Sequence, residues 1–411
     1  MKIQSVPASL AVLVAIVLTI PNAQAADREK LLYSFTGIHD GYYPDSGLVA
    51  DAAGNLYGTT YYGGVACTGK GCGTVFELSP NSTGGWTKTI LYQFTDGTDG
   101  GYPTGAMVFD ANGNLYGEAH QGGGPFFSGA IFELSPNSTG GWTESVLYSF
   151  SGQQDGALPY GGLTFDAAGN LYGTTIYGGL SNSACAISCG TIFELSPTSS
   201  GSWTQSTIYS FTGANDGYWP LSSLTLDSTG RLYGTTSRGG RYDDGVVYRL
   251  SPSSSGWRFD TLHTFNGQNG YGPQSGVVFD RQGNLYGTAM FSTNGYGLVY
   301  KLTPANSYQW KETVLYRFTN GTDGSWPTAS LIIDSTGTLY GTTVGFTVPG
   351  TAYKITRNRN GHKFELLHSV GQTGAPLLRD KAGNLYGTTE VGGLKFGTGY
   401  GSIFELSPVT P

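Results

Sequence analysis

The sequence predicts an all-β protein, a seven-bladed β-propeller with four antiparallel strands in each blade. Three observations predict this fold: one eight-residue phrase occurs seven times, each repeat divides into four short strand-like segments, and the two ends of the chain supply complementary parts of one repeat. No stretch shows the periodicity of an amphipathic helix.

The repeated phrase is Asp-x-x-Gly-Asn-Leu-Tyr-Gly, which first occurs at residues 51–58. Arg231 and Thr338 replace the Asn in two copies. The Asp-x-x-Gly part predicts a hairpin loop, because Gly accepts a positive φ and the Asp side chain can bond the loop backbone. The agreement of all copies indicates a scaffold element and not a binding site. The Leu-Tyr-Gly part begins at Leu56, Leu115, Leu171, Leu232, Leu285, Leu339 and Leu385.

Within one repeat, segments rich in Val, Ile, Leu, Tyr, Phe and Thr alternate with Gly, Pro, Asn and Ser, as strands alternate with turns. In the first complete repeat the predicted strands are 47–51, 55–61, 73–79 and 88–94. A small residue begins the first strand in six repeats, which fits the crowding of seven such strands around one axis.

The chain ends complete the count of strands. Residues 31–35 match the fourth strand of a repeat but precede the first complete one, and residues 404–408 complete a third strand where the chain stops. If the N-terminal strand joins the last blade, the propeller has 28 strands and no open sheet edge between its ends. A β-solenoid is the structural alternative, but its coils are shorter and it needs no such exchange.

Residues 1–25 are predicted to be an export signal, because Lys2 precedes the apolar run 10–20 and Ala23-Gln24-Ala25 is a small-x-small cleavage site. That run is shorter than the roughly 20 residues of a transmembrane helix, and no second one follows. We therefore expect no membrane insertion after signal removal. Residues 26–411 are predicted to form a single propeller domain, secreted or periplasmic.

Composition excludes some partners. Glycine accounts for 66 residues, only 12% of residues are charged, and the net charge is -7 with no basic run, so we expect no binding to nucleic acid.

The cysteines form two close pairs, which in an exported protein predict disulfides that staple loops. A zinc site would need four converging ligands, and free thiols are the remaining alternative. The pairs are Cys67 with Cys72 and Cys185 with Cys189.

The seven Asp-x-x-Gly-Asn-Leu-Tyr-Gly phrases, with the Phe-Glu-Leu-Ser-Pro strand endings such as 76–80, resemble the GloVer tandem repeat of bacterial exported proteins, also called the choice-of-anchor repeat family. The resemblance covers essentially the whole mature chain. It implies an extracytoplasmic repeat protein and no particular activity. Members often carry a C-terminal sorting anchor, but this chain ends three residues after Pro408, so we do not expect anchoring by that route.

Two segments of each repeat carry the candidate binding residues. The linker before the first strand keeps an Asp-Gly-x-x-Pro phrase, and the loop between the second and third strands varies in length. Strand alternation places both on one face, where aromatic rings and carboxylates could hold sugar rings. The alternative is that the rings pack between blades. The candidates are Asp40, Tyr43, Asp99, Tyr102, Asp155, Tyr160, Asp216, Trp219, Asp323, Trp326, Tyr62 and Tyr177.

Motifs for metal binding and catalysis are scarce. Calcium needs several carboxylates in one loop, and each linker offers one, so we expect turn capping and no cofactor, with calcium as the minor alternative. No Gly-x-Ser-x-Gly, His-Glu-x-x-His or phosphate loop occurs. One repeat replaces Thr-Thr after Leu-Tyr-Gly with an acid and an imidazole, and Glu118 and His120 are weak catalytic candidates. The alternative is a hydrogen-bonded structural pair.

These patterns favour an exported, non-catalytic binding protein that recognises glycans or cell-surface proteins through its variable-loop face. One alternative is an enzyme acting on polysaccharide or a lactone at the mouth of the axial channel, and another is a purely structural surface protein. The enzyme predicts acids that converge at that mouth beside a deep polar pocket. The binding protein predicts a broad aromatic face without such convergence.

Overall fold

The computed structural model describes residues 28–408 except 68, 181–184, 186–187, 307–308, 346, 360 and 392–398. The protein is all-β, and the described residues contain 28 strands and no helix. The predicted signal, 1–25, lies outside the described residues.

The strands group into seven four-stranded units, numbered in chain order. Unit 7 takes its fourth strand, β1, from the N-terminus. The strands are β1 (Arg28–Ser34); in unit 1 β2 (Val49–Ala50), β3 (Leu56–Thr60), β4 (Thr74–Pro80) and β5 (Trp86–Gln93); in unit 2 β6 (Gly101–Phe109), β7 (Leu115–Gln121), β8 (Ala130–Pro136) and β9 (Trp142–Ser149); in unit 3 β10 (Ala157–Phe165), β11 (Leu171–Tyr177), β12 (Thr191–Pro197) and β13 (Trp203–Ser210); in unit 4 β14 (Thr225–Leu226), β15 (Leu232–Thr236), β16 (Val246–Ser253) and β17 (Gly256–Thr264); in unit 5 β18 (Val278–Phe279), β19 (Leu285–Ala289), β20 (Leu298–Pro304) and β21 (Trp310–Arg317); in unit 6 β22 (Ile332–Ile333), β23 (Leu339–Thr343), β24 (Thr351–Asn358) and β25 (Gly361–Ser369); in unit 7 β26 (Leu378–Arg379), β27 (Leu385–Thr389) and β28 (Ser402–Ser407).

Within each unit the neighbouring strands pair antiparallel in chain order. β1 pairs antiparallel with β28, with Leu31 opposite Phe404, as the count of strands predicts. Units 2 and 3 are joined into one eight-stranded sheet by a single parallel pair between Ala106 and Gly162.

The repeated phrase forms the hairpin that its residues predict. In unit 1, Asp51 Oδ1 accepts hydrogen bonds from the backbone N–H groups of Ala53 and Asn55 at 2.9 Å, and Asp51 Oδ2 accepts one from Tyr57 Oη at 3.1 Å. Gly54 has a φ of 87°, which an L side chain rarely adopts. The loop is therefore held by bonds within seven residues of sequence.

The Gly of Leu-Tyr-Gly is explained by packing. A Cβ added to Gly58 would lie 2.7 Å from Cζ of Phe76, the aromatic ring of the third strand. The same close approach, 2.4–2.5 Å, occurs at Gly117 under Phe132 and at Gly387 under Phe404. The third-strand ring thus lies directly on the second-strand backbone, and only Gly leaves room for it.

Aromatic pairs join consecutive units. Phe94, which follows the fourth strand of unit 1, packs edge to face on Phe132 of unit 2, with ring centroids 5.1 Å apart. Phe35, which follows β1, packs in the same way on Phe76 of unit 1 at 5.5 Å. Since β1 belongs to the sheet of unit 7, unit 7 lies beside unit 1.

First strands are shorter than the sequence predicts in five units. In unit 1 only Val49–Ala50 is paired, where 47–51 was predicted. There the Oγ of Ser46 accepts a hydrogen bond from the N–H of Thr59 at 3.0 Å, so a side chain replaces a ladder bond. In units 2 and 3 the equivalent residues are Gly105 and Gly161, with positive φ, and the first strand extends over nine residues.

Candidate functional site

A central cavity of about 530 Å³ is lined by residues from all seven units, and two equivalent positions in each unit lie at or beside it. The first position is that of Asp45 in unit 1, which follows the linker proline Pro44. The second is that of Tyr61, which directly follows the five residues of β3. The backbone shows the equivalence: the N–H of Tyr61 donates to the carbonyl of Tyr43 at 3.0 Å, and the N–H of Glu390 donates to that of Gln372 at 2.8 Å. The first set is Asp45, Thr104, Tyr160, Leu221, Gln274, Thr328 and Gly374, and the second is Tyr61, His120, Ile176, Ser237, Met290, Val344 and Glu390.

The chemistry of these two sets is uneven. The titratable side chains come from units 7, 1, 2 and 3, whereas units 4 to 6 contribute apolar side chains and uncharged polar ones. A scaffold does not require such asymmetry, because the equivalent backbone is the same in each unit. This side of the cavity is therefore the candidate site.

Asp45 and Glu390 form its centre. Gly374 lacks a side chain, and a Cβ placed there would lie 2.9 Å from Glu390 Oε1 and 3.0 Å from Asp45 Oδ1. Glu390 Oε1 accepts a hydrogen bond from the N–H of Gly374 at 2.9 Å. The missing side chain thus makes room for two carboxyl groups, which hydrogen-bond to each other.

Burial favours the protonated form of Asp45. Burial, and then the charge of Glu390, raise the pKa of Asp45 well above its usual range. Asp45 is half-buried and lines the edge of the central cavity. When Asp45 is protonated, its hydroxyl donates to Glu390.

Tyrosine hydroxyls and an imidazole surround the pair. Burial and then Glu390, to which Tyr43 hydrogen-bonds, raise the pKa of Tyr43, and burial with Asp45 does the same for Tyr160. His120 Nδ1 lies 3.2 Å from the carbonyl of Pro159, and burial lowers its pKa, so the ring is neutral at pH 7. These groups offer hydrogen bonds and no positive charge.

A second cavity of about 610 Å³ opens beside the pair, and we call it the tyrosine cleft. It shares Tyr43, Asp45, Tyr160 and Glu390 with the central cavity. Its other lining residues are Tyr42, Tyr61, Tyr62, Lys70, Thr104, His120, Val391, Gly399 and Tyr400. A concave cavity of this size, rich in aromatic rings with a few polar groups, is typical of a small-ligand site.

The tyrosine rings of the cleft support one another. Tyr42 stacks on Tyr62 with centroids 5.3 Å apart, and Tyr400 meets Tyr42 edge-on at 5.5 Å. Tyr61 contacts both Tyr62 and Tyr102, at 4.8 and 5.3 Å. Their orientation is therefore fixed by neighbouring rings before any ligand binds.

The predicted linker carboxylates have a different setting. Asp99 accepts hydrogen bonds from the N–H of Thr95 at 2.8 Å and from Tyr92 Oη at 3.1 Å. The same pattern occurs at Asp40, Asp155, Asp216 and Asp323. These carboxylates close the turn before each linker, as the expected turn capping requires, and a ligand role for them stays a prediction.

The predicted linker aromatics occupy two different positions. Tyr43, Tyr102, Trp219 and Trp326 precede the linker proline and have φ of 54–62°, which is unusual for bulky residues. Their N–H groups bond the loop of the preceding unit, as Tyr102 does with the carbonyl of Cys72 at 2.7 Å. In unit 3 this position is Leu158, with a φ of 55°, so Tyr160 is two residues further on and reaches the central cavity instead.

The structure brings together only part of the predicted set. Tyr43, Tyr160, Tyr62 and His120 line the tyrosine cleft, and Tyr102 packs against its wall. Outside it, Tyr177 meets Trp219 edge-on at 6.3 Å, and Trp326 Nε1 donates to the carbonyl of Gly295 at 3.1 Å. Glu118 is fully buried beneath the site, where burial raises its pKa to about 8.

Sequence reasoning missed Asp45 and Glu390. A signal was present, because Asp45 is the only carboxylate among the residues that follow the linker proline, and Glu390 is the only one at its own position. The shortened linker of the last repeat hid the equivalence of Gly374 with Asp45.

Both predicted disulfides are formed, Cys67–Cys72 and Cys185–Cys189. Cys72 and Cys189 each present their carbonyl to the linker of the next unit, to Tyr102 and Trp219. Each disulfide therefore fixes a variable loop at its contact with the following unit.

The family profile of the Gloeobacter/Verrucomicrobia repeat matches residues 19–187, 140–290, 179–345 and 254–411. The chain belongs to this family. Its bacterial membership and two disulfides are consistent with an extracytoplasmic location. No curated protein matches the chain.

Solved structures resemble the repeat protein in fold. A putative 6-phosphogluconolactonase from Bacteroides uniformis is 16% identical, with a TM-score of 0.53 over 83% of this chain and 88% of its own. A putative oxidoreductase (glucose dehydrogenase) from Thermus thermophilus is 16% identical, with a TM-score of 0.45 over 74% and 96%. A Dyadobacter fermentans protein of unknown function is 10% identical, with a TM-score of 0.45 over 93% and 98%. At 16% identity, the similarity to the first of these structures concerns fold alone.

The described residues contain no group of three or more His, Cys, Asp or Glu that could hold a metal ion. No helix among them is long and apolar enough to cross a membrane.

Proposed function

We propose that the seven units close into one seven-bladed β-propeller formed by residues 26–411, with β1 completing the last blade. Contacts between unit 7 and unit 1 support closure. Thr388 Oγ1 lies 3.3 Å from the carbonyl oxygen of Ser46 and donates to it, and a Cβ on Gly47 would lie 2.8 Å from Pro376 and 3.2 Å from Ala106. The central cavity is then the mouth of the axial channel.

We further propose that residues 1–25 direct export to the periplasm or the medium, and that the mature protein binds carbohydrate at the tyrosine cleft without catalysis. One observation carries the binding proposal: the two sets of seven equivalent backbone positions hold titratable and aromatic side chains only on the side where the cleft opens. Sugar rings present apolar C–H faces that stack on aromatic rings, and hydroxyls that bond carboxylates. The cleft provides both.

A glycan array screened with the mature protein, with calcium and with chelator, tests this proposal. Two matched variants locate the site. Tyr62→Ala removes a ring that stacks on Tyr42 in unit 1, and Phe291→Ala removes a ring that stacks on Tyr271 in the same way in unit 5, at 4.8 Å. We expect Tyr62→Ala to lose binding and Phe291→Ala to keep it. No binding in either condition would refute the glycan proposal and leave a protein partner at the cell surface as the candidate.

The hydrogen-bonded carboxyl pair favours a second candidate, an enzyme that acts on polysaccharide or a lactone. One member can donate a proton while the other accepts one, which is the arrangement that general acid–base catalysis requires. Hydrolysis of chromogenic glycosides and of sugar lactones tests this. We expect Asp45→Asn to abolish any turnover, and an absence of turnover by the unmodified protein would refute the enzyme.

A further inference from the structure

We propose that the carbohydrate bound in the tyrosine cleft carries a positively charged amine, as a sugar with a free ammonium group does. This inference rests on the proposed carbohydrate binding and specifies the class of ligand. It is carried by two features of the cleft, the faces of its tyrosine rings and the carboxyl pair at its base.

The ring faces already hold an ammonium group of the chain itself. Lys70 Nζ lies 5.1 Å from the centroid of Tyr62, and Lys70 is exposed on the loop that the Cys67–Cys72 disulfide closes. The negative face of an aromatic ring attracts a cation by roughly 0.5–2 kcal/mol, more when water is excluded. The position of Lys70 thus marks where a cationic ligand would lie, and Lys70 would compete with that ligand.

Within the part of the chain that the structure describes, the carboxyl pair has no fixed positive partner. Among the described residues, no Lys, Arg or His side chain lies within ion-pair distance of Asp45 or Glu390. The Oγ1 of Thr328 is buried, has no hydrogen-bond partner among the described residues, and lies 3.6 Å from the Cβ position of Gly374. Thr328 and Gly374 line the central cavity, which the cleft meets at the pair, and an ammonium group reaching that point would be offered two carboxyl groups and a hydroxyl oxygen.

The other titratable groups facing the pair do not supply the charge. Burial keeps His120 neutral by lowering its pKa, and the raised pKa of Tyr43, Tyr61 and Tyr160 keeps their hydroxyls protonated. Glu118, which lies behind Tyr160, adds no positive charge in either protonation state. Lys70 is the one cation among the described residues that line the cleft.

Binding of a cation is linked to loss of a proton from the pair. In the free pair, burial and the neighbouring charge of Glu390 raise the pKa of Asp45 and so favour its protonated form. A nearby ammonium group favours the second negative charge. Ligand binding and proton release are therefore linked, and affinity rises with pH until the free pair is fully ionised.

The test compares sugars of one length that differ in charge. Isothermal titration of the mature protein uses a glucosamine tetramer, its N-acetylated neutral form and its N-trimethylated form, whose charge does not depend on pH. We expect the charged tetramers to bind about ten-fold tighter than the neutral one or better. With the trimethylated tetramer, the titration is repeated in buffers of different ionisation enthalpy. The measured binding enthalpy should vary with the buffer, because a proton is released.

Two variants separate this inference from carbohydrate binding itself. Lys70→Met removes the competing ammonium group on an exposed loop and should strengthen binding of the charged tetramers. Asp45→Asn should weaken binding of the charged tetramers by a larger factor than binding of the neutral one, and it should abolish proton release. Equal or tighter binding of the neutral tetramer would overturn the inference and leave the proposed function intact. Failure of all three tetramers and of the glycan array would refute both.

Discussion

Glu118 gives the sharpest test of the electrostatics of this protein. Its side chain has no exposed surface, its Oε2 accepts a hydrogen bond from the N–H of Gly162 at 2.9 Å, and its Oε1 has no partner among the described residues. The equivalent residue in each of the other six units is Thr. Such a carboxyl is stable when protonated and costly when ionised.

The magnitude follows from the pKa values. Burial raises the pKa of Glu118 from 4.5 to about 8. Between these values the folded protein binds one more proton than the unfolded chain, so its stability falls as pH rises. At 1.36 kcal/mol per unit, the free energy of unfolding should drop by about 2.5 kcal/mol between pH 5 and pH 7 through this residue alone.

Urea unfolding of the disulfide-intact protein at pH 5, 6 and 7 measures this slope. Glu118→Gln and Glu118→Thr both remove the titrating group. We therefore expect the drop in the free energy of unfolding between pH 5 and pH 7 to be about 2.5 kcal/mol smaller in each variant than in the wild type. Comparison of slopes is insensitive to the packing defect that either variant introduces. If wild type and both variants lose stability equally over this range, Glu118 is not the buried neutral acid that the structure indicates.

Three further predictions concern the scaffold and the site. Replacing Cys67 and Cys72 together by Ser should destabilise the protein by about 2 kcal/mol, because the disulfide closes a short loop, and thermal unfolding measures this. Asp280→Ala should cost about 1–3 kcal/mol at pH 7. Burial opposes ionisation of Asp280, but hydrogen bonds from its own hairpin outweigh this and lower its pKa, so the difference from wild type should shrink as pH falls below about 4 in urea unfolding. Gly374→Ala places a Cβ within 3.0 Å of both carboxyl groups and should abolish binding of charged sugars while circular dichroism stays unchanged.

Much of the fold was predictable because its determinants are local. The hairpin at Asp51 is held by bonds within seven residues, and the four-strand unit repeats as a pattern of apolar segments and turn residues. The pairing of β1 with β28 was predictable for another reason, since an orphan strand and a missing strand can be counted. First-strand lengths were not, because Ser46 replaces a ladder bond by a side-chain bond that composition does not reveal.

The candidate site was predictable only in part. Tyr43, Tyr62, Tyr160 and His120 were named from the face on which they lie, and they do line the cleft. The same argument also named Trp219, Tyr177 and Trp326, which lie elsewhere, because a face shared by seven units does not distinguish one side from another.

The all-β repeat, its hairpins and its cysteine pairs could be read from the sequence, since each depends on neighbours within one repeat. Which side of the central cavity is chemically distinct became visible only in the folded protein. Asp45 belongs to unit 1 and Glu390 to unit 7. They meet because β1 joins the sheet of unit 7, which then lies beside unit 1. Gly374 leaves the space in which they share a proton, and that space exists only after the units have packed together.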